Sequence, residues 1–427
     1  MQESLFPSTT AAVESAGFHR HQEPLSHSAA TAQLVDFLPR AGRAYARDRN
    51  FDLGDAQRSN VSGLSPFLRY RLITELDVLR TVLGHHSMSS AEKFVQEVFW
   101  RTYFKGWLEH RPEIWNRYRE HLGQHVARLN DNAAAMAHYQ SAVLGETGIE
   151  AFDCWANELT RTNYLHNHAR MWFASIWIFT LRLPWELGAD FFMTHLLDGD
   201  PASNTLSWRW VAGLHTQGKH YLARANNIDR YTGGRFAPGG GLDEKADPLP
   251  ADELPAPATP GAGLVVIEEA DILSALTASE PGGKQLRWLI HEDDLHPESL
   301  VGFADAMQQE RVSEVLVLNL RDTGTSVADP VAAGIRAALD DVRNRLTTVS
   351  SAPIRTVSAA ELVELAQGAD GAVYTAYPPV GPVRDTIESC AAVRCVRRHY
   401  DALAWPHCRK GFFQLKTRIP KLLDKLL

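Results

Sequence analysis

The chain has 427 residues, of which 44% are apolar and 22% are charged, a composition that excludes a disordered chain and allows two or three domains with their own cores. The net charge of −8 arises entirely in residues 241–427, since residues 1–240 carry equal numbers of acidic and basic side chains. The longest apolar stretch, residues 171–181, is about half as long as a bilayer crossing.

Because no basic-then-apolar leader opens the chain, we expect neither a membrane span nor a secretory signal. Four cysteines in so long a chain argue against a disulfide framework and indicate a reducing compartment. We therefore expect a cytoplasmic protein.

Four regions follow one another along the chain. Residues 1–24 lack periodicity and are expected to form a flexible arm, whereas residues 25–238 have helical apolar spacing almost throughout. Residues 239–263 are rich in Pro, Gly and acidic side chains, which is typical of a linker. In residues 264–427 short apolar, β-branched runs alternate with helical stretches, which predicts a Rossmann-like α/β domain with a largely parallel sheet. The predicted strands are 264–267, 287–290, 314–320 and 372–377, and the predicted helices between them include 329–346 and 359–367.

The helical region contains a stretch, residues 164–210, in which polar and aromatic side chains recur at helical spacing. If residues 164–182 form one helix, His166 and Arg170 share a face, and a buried Arg170 needs a carboxylate partner, for which Asp198 is a candidate. Asp200 followed by Pro predicts the start of a further helix. Amide, indole, carboxylate and guanidinium groups that face one cavity suit a large, flat ligand with polar edges. The same residues equally suit a Trp-rich helical core with ordinary buried ion pairs.

The same stretch resembles the FAD-binding helical domain of the DNA photolyase/cryptochrome family. Upstream, residues 62–68 (SGLSPFL) and 97–101 (EVFWR) resemble two further motifs of that family, and Tyr45 and Arg49 fall at family positions. The matching residues of the main stretch are Tyr164, His166, Asn167, Arg170, Met171, Trp185, Gly188, Asp198, Gly199, Asp200, Ala202, Asn204, Trp208 and Trp210.

The resemblance implies an FAD cofactor and a set of residues that would hold it. Asn204 would face N5 of the flavin, and the turn at residues 62–65 would hold the diphosphate. The implied cofactor-binding residues are Tyr45, Ser62, Gly63, Leu64, Ser65, Arg101, Arg170, Asp198, Gly199, Asp200 and Asn204. Trp208 and Trp185 match two members of the family's electron-relay chain. The third would align near Asn132, so the route could instead use Trp155, Trp172 or Trp177.

The resemblance also implies a substrate. Asn167 and Met171 stand where the enzymes that repair cyclobutane pyrimidine dimers have Asn and Met, and where the (6-4) enzymes have histidines. Glu97 would hydrogen-bond the dimer, and Trp100 and Trp210 would pack on it after base flipping. The implied DNA- and dimer-contacting residues are Arg49, Glu97, Trp100, Asn167, His168, Met171 and Trp210, and the implied catalytic residues are Glu97, Asn204, Trp208 and Trp185.

Some features depart from the family. His168 replaces an Arg that contacts DNA phosphate, Gly63 replaces a larger side chain, and the family's later helices are missing. The α/β region follows the helical one, where the family generally has the reverse, so we expect a permuted domain order. A second, antenna chromophore would belong to the α/β region, where residues 372–385 faintly resemble the family's antenna domain.

The sequence thus predicts a monomeric, light-dependent repair lyase, a deoxyribodipyrimidine photo-lyase that acts on UV-damaged DNA. A cryptochrome-like blue-light photoreceptor that signals through a partner is the alternative, and a flavin protein with only a structural role is a third possibility. The basic C-terminal segment, residues 394–427, would suit DNA or a signalling partner, and otherwise a solvated helix face. Buried or unpaired thiols are expected for the four cysteines, with an iron–sulfur cluster as the alternative and no other metal site.

Overall fold

A computed structural model describes residues 24–216, 218–236, 241–272, 286–320, 327–367, 372–390 and 392–427. Of the predicted N-terminal arm, residues 1–23 lie outside the described ranges. The first part of the chain is helical. Its helices are α1 His27–Phe37, α2 Arg43–Asp48, α3 Ser65–Arg69, α4 Glu75–His85, α5 Met88–Glu109, α6 Glu113–Asn130, α7 Ala133–Val143, α8 Glu150–Thr162, α9 Asn167–Ser175, α10 Trp185–His195, α11 Pro201–Ala212 and α12 Ala225–Tyr231.

Local capping sets where these helices begin. The side chain of Asp200 accepts a hydrogen bond from Ser203 N at 2.7 Å and Pro201 opens α11, so the predicted start of this helix is confirmed. Ser87 caps α5, since its side chain accepts a hydrogen bond from Ser90 N at 3.4 Å.

Helix α9 is shorter than the single helix predicted over residues 164–182. Asn163 has a left-handed backbone (φ 54°) that ends α8, and His166 caps α9 by accepting from His168 N at 3.2 Å. The helix then widens into a π-helix at Ile176–Thr180. Asn167 and Met171 remain one turn apart, whereas His166 precedes the helix.

The second part is an α/β unit with a six-stranded sheet in which every pairing is parallel and the strand order is β1-β6-β5-β2-β3-β4. The strands are β1 Val265–Glu268, β2 Leu286–Ile290, β3 Val312–Leu318, β4 Ile354–Val357, β5 Val373–Ala376 and β6 Val393–Arg397. The helices are α13 Val301–Gln308, α14 Asp329–Thr347, α15 Ala359–Gln367, α16 Pro382–Ile387, α17 His399–Ala404, α18 Phe412–Lys416 and α19 Ile419–Leu426. The predicted fold class, a helical region followed by a Rossmann-like α/β region, is confirmed.

The segment between the two parts, as far as it is described, lies on the helical part without regular secondary structure. Leu249 N donates to Ala212 O at 3.0 Å, and Ala258 N donates to His110 O at 2.7 Å. Asp252 accepts two hydrogen bonds from Arg209, at 3.0 and 2.9 Å. Residues 241–263 therefore form a strap along the helices.

The two parts share one hydrophobic core and a set of buried charges. Arg71 contacts Asp294 and Asp401 of the α/β part, and Glu109 accepts from Tyr377 Oη and from Arg384 Nη1. Buried charges need such partners, so each part completes the other. Among the described residues, no helix is long and apolar enough to cross a membrane.

Candidate functional site

The centre of the site is the loop between α10 and α11. Arg170 Nη2 donates to Asp198 Oδ2 at 2.9 Å, which is the ion pair that the spacing suggested. The guanidinium also lies 5.2 Å from the centre of the Tyr164 ring. The second oxygen of the same carboxylate, Asp198 Oδ1, is buried and has no hydrogen-bond partner in the described part of the chain. A buried acceptor of this kind is costly unless a ligand satisfies it.

Asp200 is the buried acid of the loop and lies among cations. Its Oδ2 is 3.3 Å from Arg101 Nη1 and 4.0 Å from Lys105 Nζ. Burial alone would raise the pKa of Asp200, but Arg101, Lys105 and Arg69 outweigh it and hold the pKa well below its usual value. Burial, with the neighbouring Arg101, lowers the pKa of Lys105 to about 8. Neither Arg101 Nε nor Lys105 Nζ has a hydrogen-bond partner among the residues described.

The turn before α3 lies at one side of this loop. Gly63 has φ +66°, a conformation that favours glycine and accounts for the absence of the larger side chain common in the family. Ser62 O accepts from Gln33 Nε2 at 2.5 Å, and Ser62 Oγ accepts from Leu64 N at 3.3 Å. The turn is thus held by α1.

Asn204 and Tyr45, both predicted to contact flavin, are buried. Asn204 Nδ2 donates to Ala189 O at 2.8 Å, which fixes the orientation of the amide. Burial, with a smaller contribution from Glu97, raises the pKa of Tyr45 well above its ordinary value, so its hydroxyl is protonated at neutral pH.

Around Trp208 the structure brings together aromatic rings among which sequence patterns offer no reason to choose a relay partner. Trp177 lies 6.2 Å from Trp208 between ring centres, and a methyl group added at Gly188 would come within 2.3 Å of the Trp208 ring. Trp185 packs instead on Tyr118, at 5.6 Å. Of the three alternative relay residues, Trp177 is the one in contact with Trp208.

The residues predicted to contact a lesion form a second group that is at least partly exposed, in contrast to Asp198, Asp200 and Asn204. Within it Arg49 forms an ion pair with Glu97. Its other members are Trp100, Asn167, His168, Met171 and Trp210.

Trp100 has a neighbour that sequence reasoning missed. The ring of Phe412, the first residue of α18, stacks on Trp100 with 3.8 Å between centres and 13° between planes. An aromatic residue in a basic C-terminal segment carries no sequence signal of such a contact. Trp210 stacks on Tyr221 at 5.8 Å, and His168 stacks on Trp172 at 4.1 Å.

The α/β part closes the site beside the loop. Arg69 Nε donates to Gly199 O at 2.6 Å, while its Nη1 pairs with Asp293 of the α/β part. The backbone of Ala328 donates to Thr194 O at 2.9 Å. Arg69 and Asp293 were not predicted, because nothing in the sequence brings positions 224 residues apart together.

Metal ligation has no support from the described geometry. No group of three or more His, Cys, Asp or Glu side chains is placed to hold a metal ion in the described ranges. The four cysteines, Cys154, Cys390, Cys395 and Cys408, are free thiols.

Comparison with known proteins relates this region to a known domain. Residues 94–234 match the family model described as the FAD binding domain of DNA photolyase. The deoxyribodipyrimidine photo-lyase of a Synechococcus species is 32% identical over 192 residues, which are 43% of this chain and 38% of that protein. The enzyme of the same name from Vibrio cholerae is 28% identical over 215 residues, 49% and 44% of the two chains. The chain thus spans about two fifths of the length of these curated relatives.

Two solved structures are similar over about half of the chain. A bacterial class III photolyase from Agrobacterium tumefaciens has a TM-score of 0.40 and 25% identity, over 49% of this chain and 43% of that one. A cryptochrome from a Synechocystis species has a TM-score of 0.40 and 23% identity, over 48% and 43%.

Residues 94–234, which include the buried acids and cations around the 198–200 loop, therefore match an FAD-binding domain of the photolyase type. Through this part the chain is similar to the DNA photolyase/cryptochrome family.

Proposed function

We propose that the protein is a light-dependent deoxyribodipyrimidine photo-lyase that splits cyclobutane pyrimidine dimers in UV-damaged DNA. One observation carries the proposal: the residues implied for the cofactor centre on a buried, charged loop, whereas those implied for the lesion are at least partly exposed. The relatives named deoxyribodipyrimidine photo-lyase, together with Asn167 and Met171 in place of histidines, favour dimers over (6-4) products.

The residues of the loop fit FAD. The buried atoms without a hydrogen-bond partner among the described residues include two cationic nitrogens of α5 beside the loop, Arg101 Nε and Lys105 Nζ, and one carboxylate oxygen of the loop, Asp198 Oδ1. Cations suit the diphosphate and the carboxylate suits the donor edge of a flavin ring. FAD bound there in its reduced form would, on illumination, lend the dimer the electron that opens it and take that electron back once the bonds have split. Arg170 and Asp198 would orient the ring, while Asn204 would present its amide to it.

The partly exposed residues implied for the lesion would bind and orient the dimer. Glu97 would hydrogen-bond the pyrimidine edges, and Arg49, its present partner, would move to a DNA phosphate. The rings of Trp100 and Trp210 offer apolar faces on which the extruded pyrimidine dimer can pack. We also propose that the α/β part corresponds to the family's antenna domain in permuted order, with a second chromophore detectable as a separate absorption band.

Repair in blue light tests this proposal. Flavin-loaded, reduced protein mixed with an oligonucleotide bearing one thymine dimer is expected to restore the thymines in light and not in the dark. Glu97→Gln should lower the repair rate about tenfold, since a hydrogen bond to a charged group contributes about 1.5–3 kcal/mol. The exposed Glu120→Gln, on α6, is the matched control and should repair at the normal rate. Flavin-loaded protein that photoreduces yet restores nothing would contradict the proposal.

A second candidate function, a blue-light photoreceptor, is favoured by the stacking of Phe412 on Trp100. A ring in that position occupies the face on which a flipped base would pack. A photoreceptor would keep this contact, whereas a repair enzyme must open it.

Removing the ring separates the two functions. If the site accepts a dimer, Phe412→Ala should tighten binding of dimer-containing over undamaged DNA about three- to tenfold, because an aromatic pair contributes about 0.5–1.5 kcal/mol. Phe413→Ala, whose side chain is 73% exposed, is the neighbouring control and should change nothing. Fluorescence anisotropy measures both. Equal, weak binding of the two DNAs by every variant would support the photoreceptor.

A further inference from the structure

The C-terminal segment, residues 409–425, carries a dense positive charge, and most of its basic side chains form no ion pair with the described residues. Six of its side chains are basic and one, Asp424, is acidic. Lys416 Nζ lies 3.9 Å from Glu92 Oε1, the one ion pair of this segment within the described residues. The other five basic residues, all exposed, are Arg409, Lys410, Arg418, Lys421 and Lys425.

The basic residues just before this segment have a different role. Arg398 donates to both oxygens of the buried Asp294 at 2.7 Å, and Arg397 pairs with Glu268. Those charges hold the sheet to its neighbours. The charge excess of the outer segment therefore has no structural partner comparable to theirs and is available to an external anion.

Helix α19 orders part of this charge into a stripe. Its apolar face is buried through Ile419, Leu422, Leu423 and Leu426. Arg418, Lys421 and Lys425 follow at intervals of three and four on the other side, so they share one exposed face. Arg80 Nη2 donates to Leu426 O at 3.1 Å, which ties the end of the helix to α4 of the helical part.

The stripe is continuous in sequence with the predicted lesion site. Arg409 and Lys410 immediately precede Phe412, the residue that stacks on Trp100. At the predicted lesion site itself, Arg49 is paired with Glu97, and His168 stands where the family has an Arg.

We propose that residues 409–425 form the main phosphate-binding surface for duplex DNA that flanks the lesion. The inference rests on the proposed function for its ligand. It assigns contacts with DNA phosphates to a segment that follows the α/β part. Phosphates of a duplex are spaced regularly, and a rigid stripe of Lys and Arg can neutralise several of them at once.

Binding of an undamaged 20-base-pair duplex in the dark, by the full chain over a range of salt concentrations, tests the proposal. The double variant Lys421→Gln/Lys425→Gln should bind about five- to tenfold more weakly at 0.1 M salt, and its plot of log affinity against log salt should be flatter by about two. Lys245→Gln/Arg336→Gln changes the net charge equally on other exposed surfaces and should behave as wild type.

Three results would overturn the proposal: the wild type binds no DNA, the tail variant Lys421→Gln/Lys425→Gln binds as tightly as the wild type, or the control variant loses as much affinity as the tail variant. A tail variant that loses affinity for phosphatidylserine vesicles but not for DNA would assign the surface to a membrane instead. The assay needs neither light nor repair. If the Lys421→Gln/Lys425→Gln variant binds DNA more weakly but the wild type repairs no dimer, this inference holds and the proposed lyase activity does not.

Discussion

Replacing Arg71 by Met is expected to lower the free energy of unfolding by about 3–5 kcal/mol, the cost of removing one partner from a buried charge group. Arg71 is fully buried, and its Nη2 lies 2.8 and 2.7 Å from the two oxygens of Asp401. Its Nε is 3.3 Å from Glu75, and its Nη1 is 3.4 Å from Asp294. The Met variant would leave three carboxylates short of their shared cation.

Urea denaturation followed by tryptophan fluorescence measures this loss. Arg71→Lys, which keeps the charge but not the planar donors, should fall between the Met variant and wild type. Arg47→Met, whose partner Asp48 is also on the surface, should shift stability by less than about 0.5 kcal/mol. A Met variant as stable as that control would refute the assigned role of Arg71.

The stability of the protein at low pH should depend on the same buried charge group around Arg71. Burial raises the pKa of Glu75, but Arg71, Arg101 and Lys105 outweigh it and lower the pKa to about 2. A depressed carboxyl pKa contributes stability that is present above the ordinary value and lost as the pH falls toward 2. Removing Arg71 should shift this loss to higher pH.

Asp200→Asn is expected to destabilise the protein by a comparable amount, about 3–5 kcal/mol, while preserving the start of α11. Asn caps helices as well as Asp does, so Ser203 N keeps its partner and the change is one of charge alone. Arg101 and Lys105 would then face each other without the acid between them. Flavin content after purification should fall together with stability.

The comparison with Asp200→Ala separates the two roles of this side chain. Ala removes the cap as well as the charge and should cost about 1 kcal/mol more than Asn. If the Asp200→Asn variant were as stable as wild type above pH 5, the charge interactions that lower the pKa of Asp200 would contribute nothing to stability. Thermal unfolding at pH 7 and pH 4 provides the measurement.

Local chemistry made much of the fold predictable. Four of the six strands were predicted because they are short, apolar and β-branched. β4 and β6 were missed because parallel strands are expected to be nearly continuous in apolar residues, whereas β4 is the mixed sequence IRTV at a sheet edge. In β6, Arg394 and Arg397 interrupt the run, and they are accommodated by Tyr374 and Glu268.

The site was predictable where its residues are close in sequence or match the family motifs. The pair of Arg170 and Asp198 was predicted because a buried guanidinium would need an acid, although Arg170 is only half-buried in the structure. Phe412 on Trp100 and Asp293 beside Arg69 join positions more than 200 residues apart. Such contacts depend on how the α/β part docks, which no local pattern records.

The contact of Arg71 with Asp401 spans 330 positions and has a consequence for synthesis. The helical part leaves the ribosome first, yet Asp401, which accepts two hydrogen bonds from its buried guanidinium, is synthesised 330 residues later. Until Asp401 emerges, Arg71 has, among the described residues, only Glu75 of the helical part and Asp294 as nearby acids. Maturation of the nascent chain should therefore wait for Asp401, and a translation product interrupted before it should be degraded by proteolysis rather than persist as a folded flavoprotein.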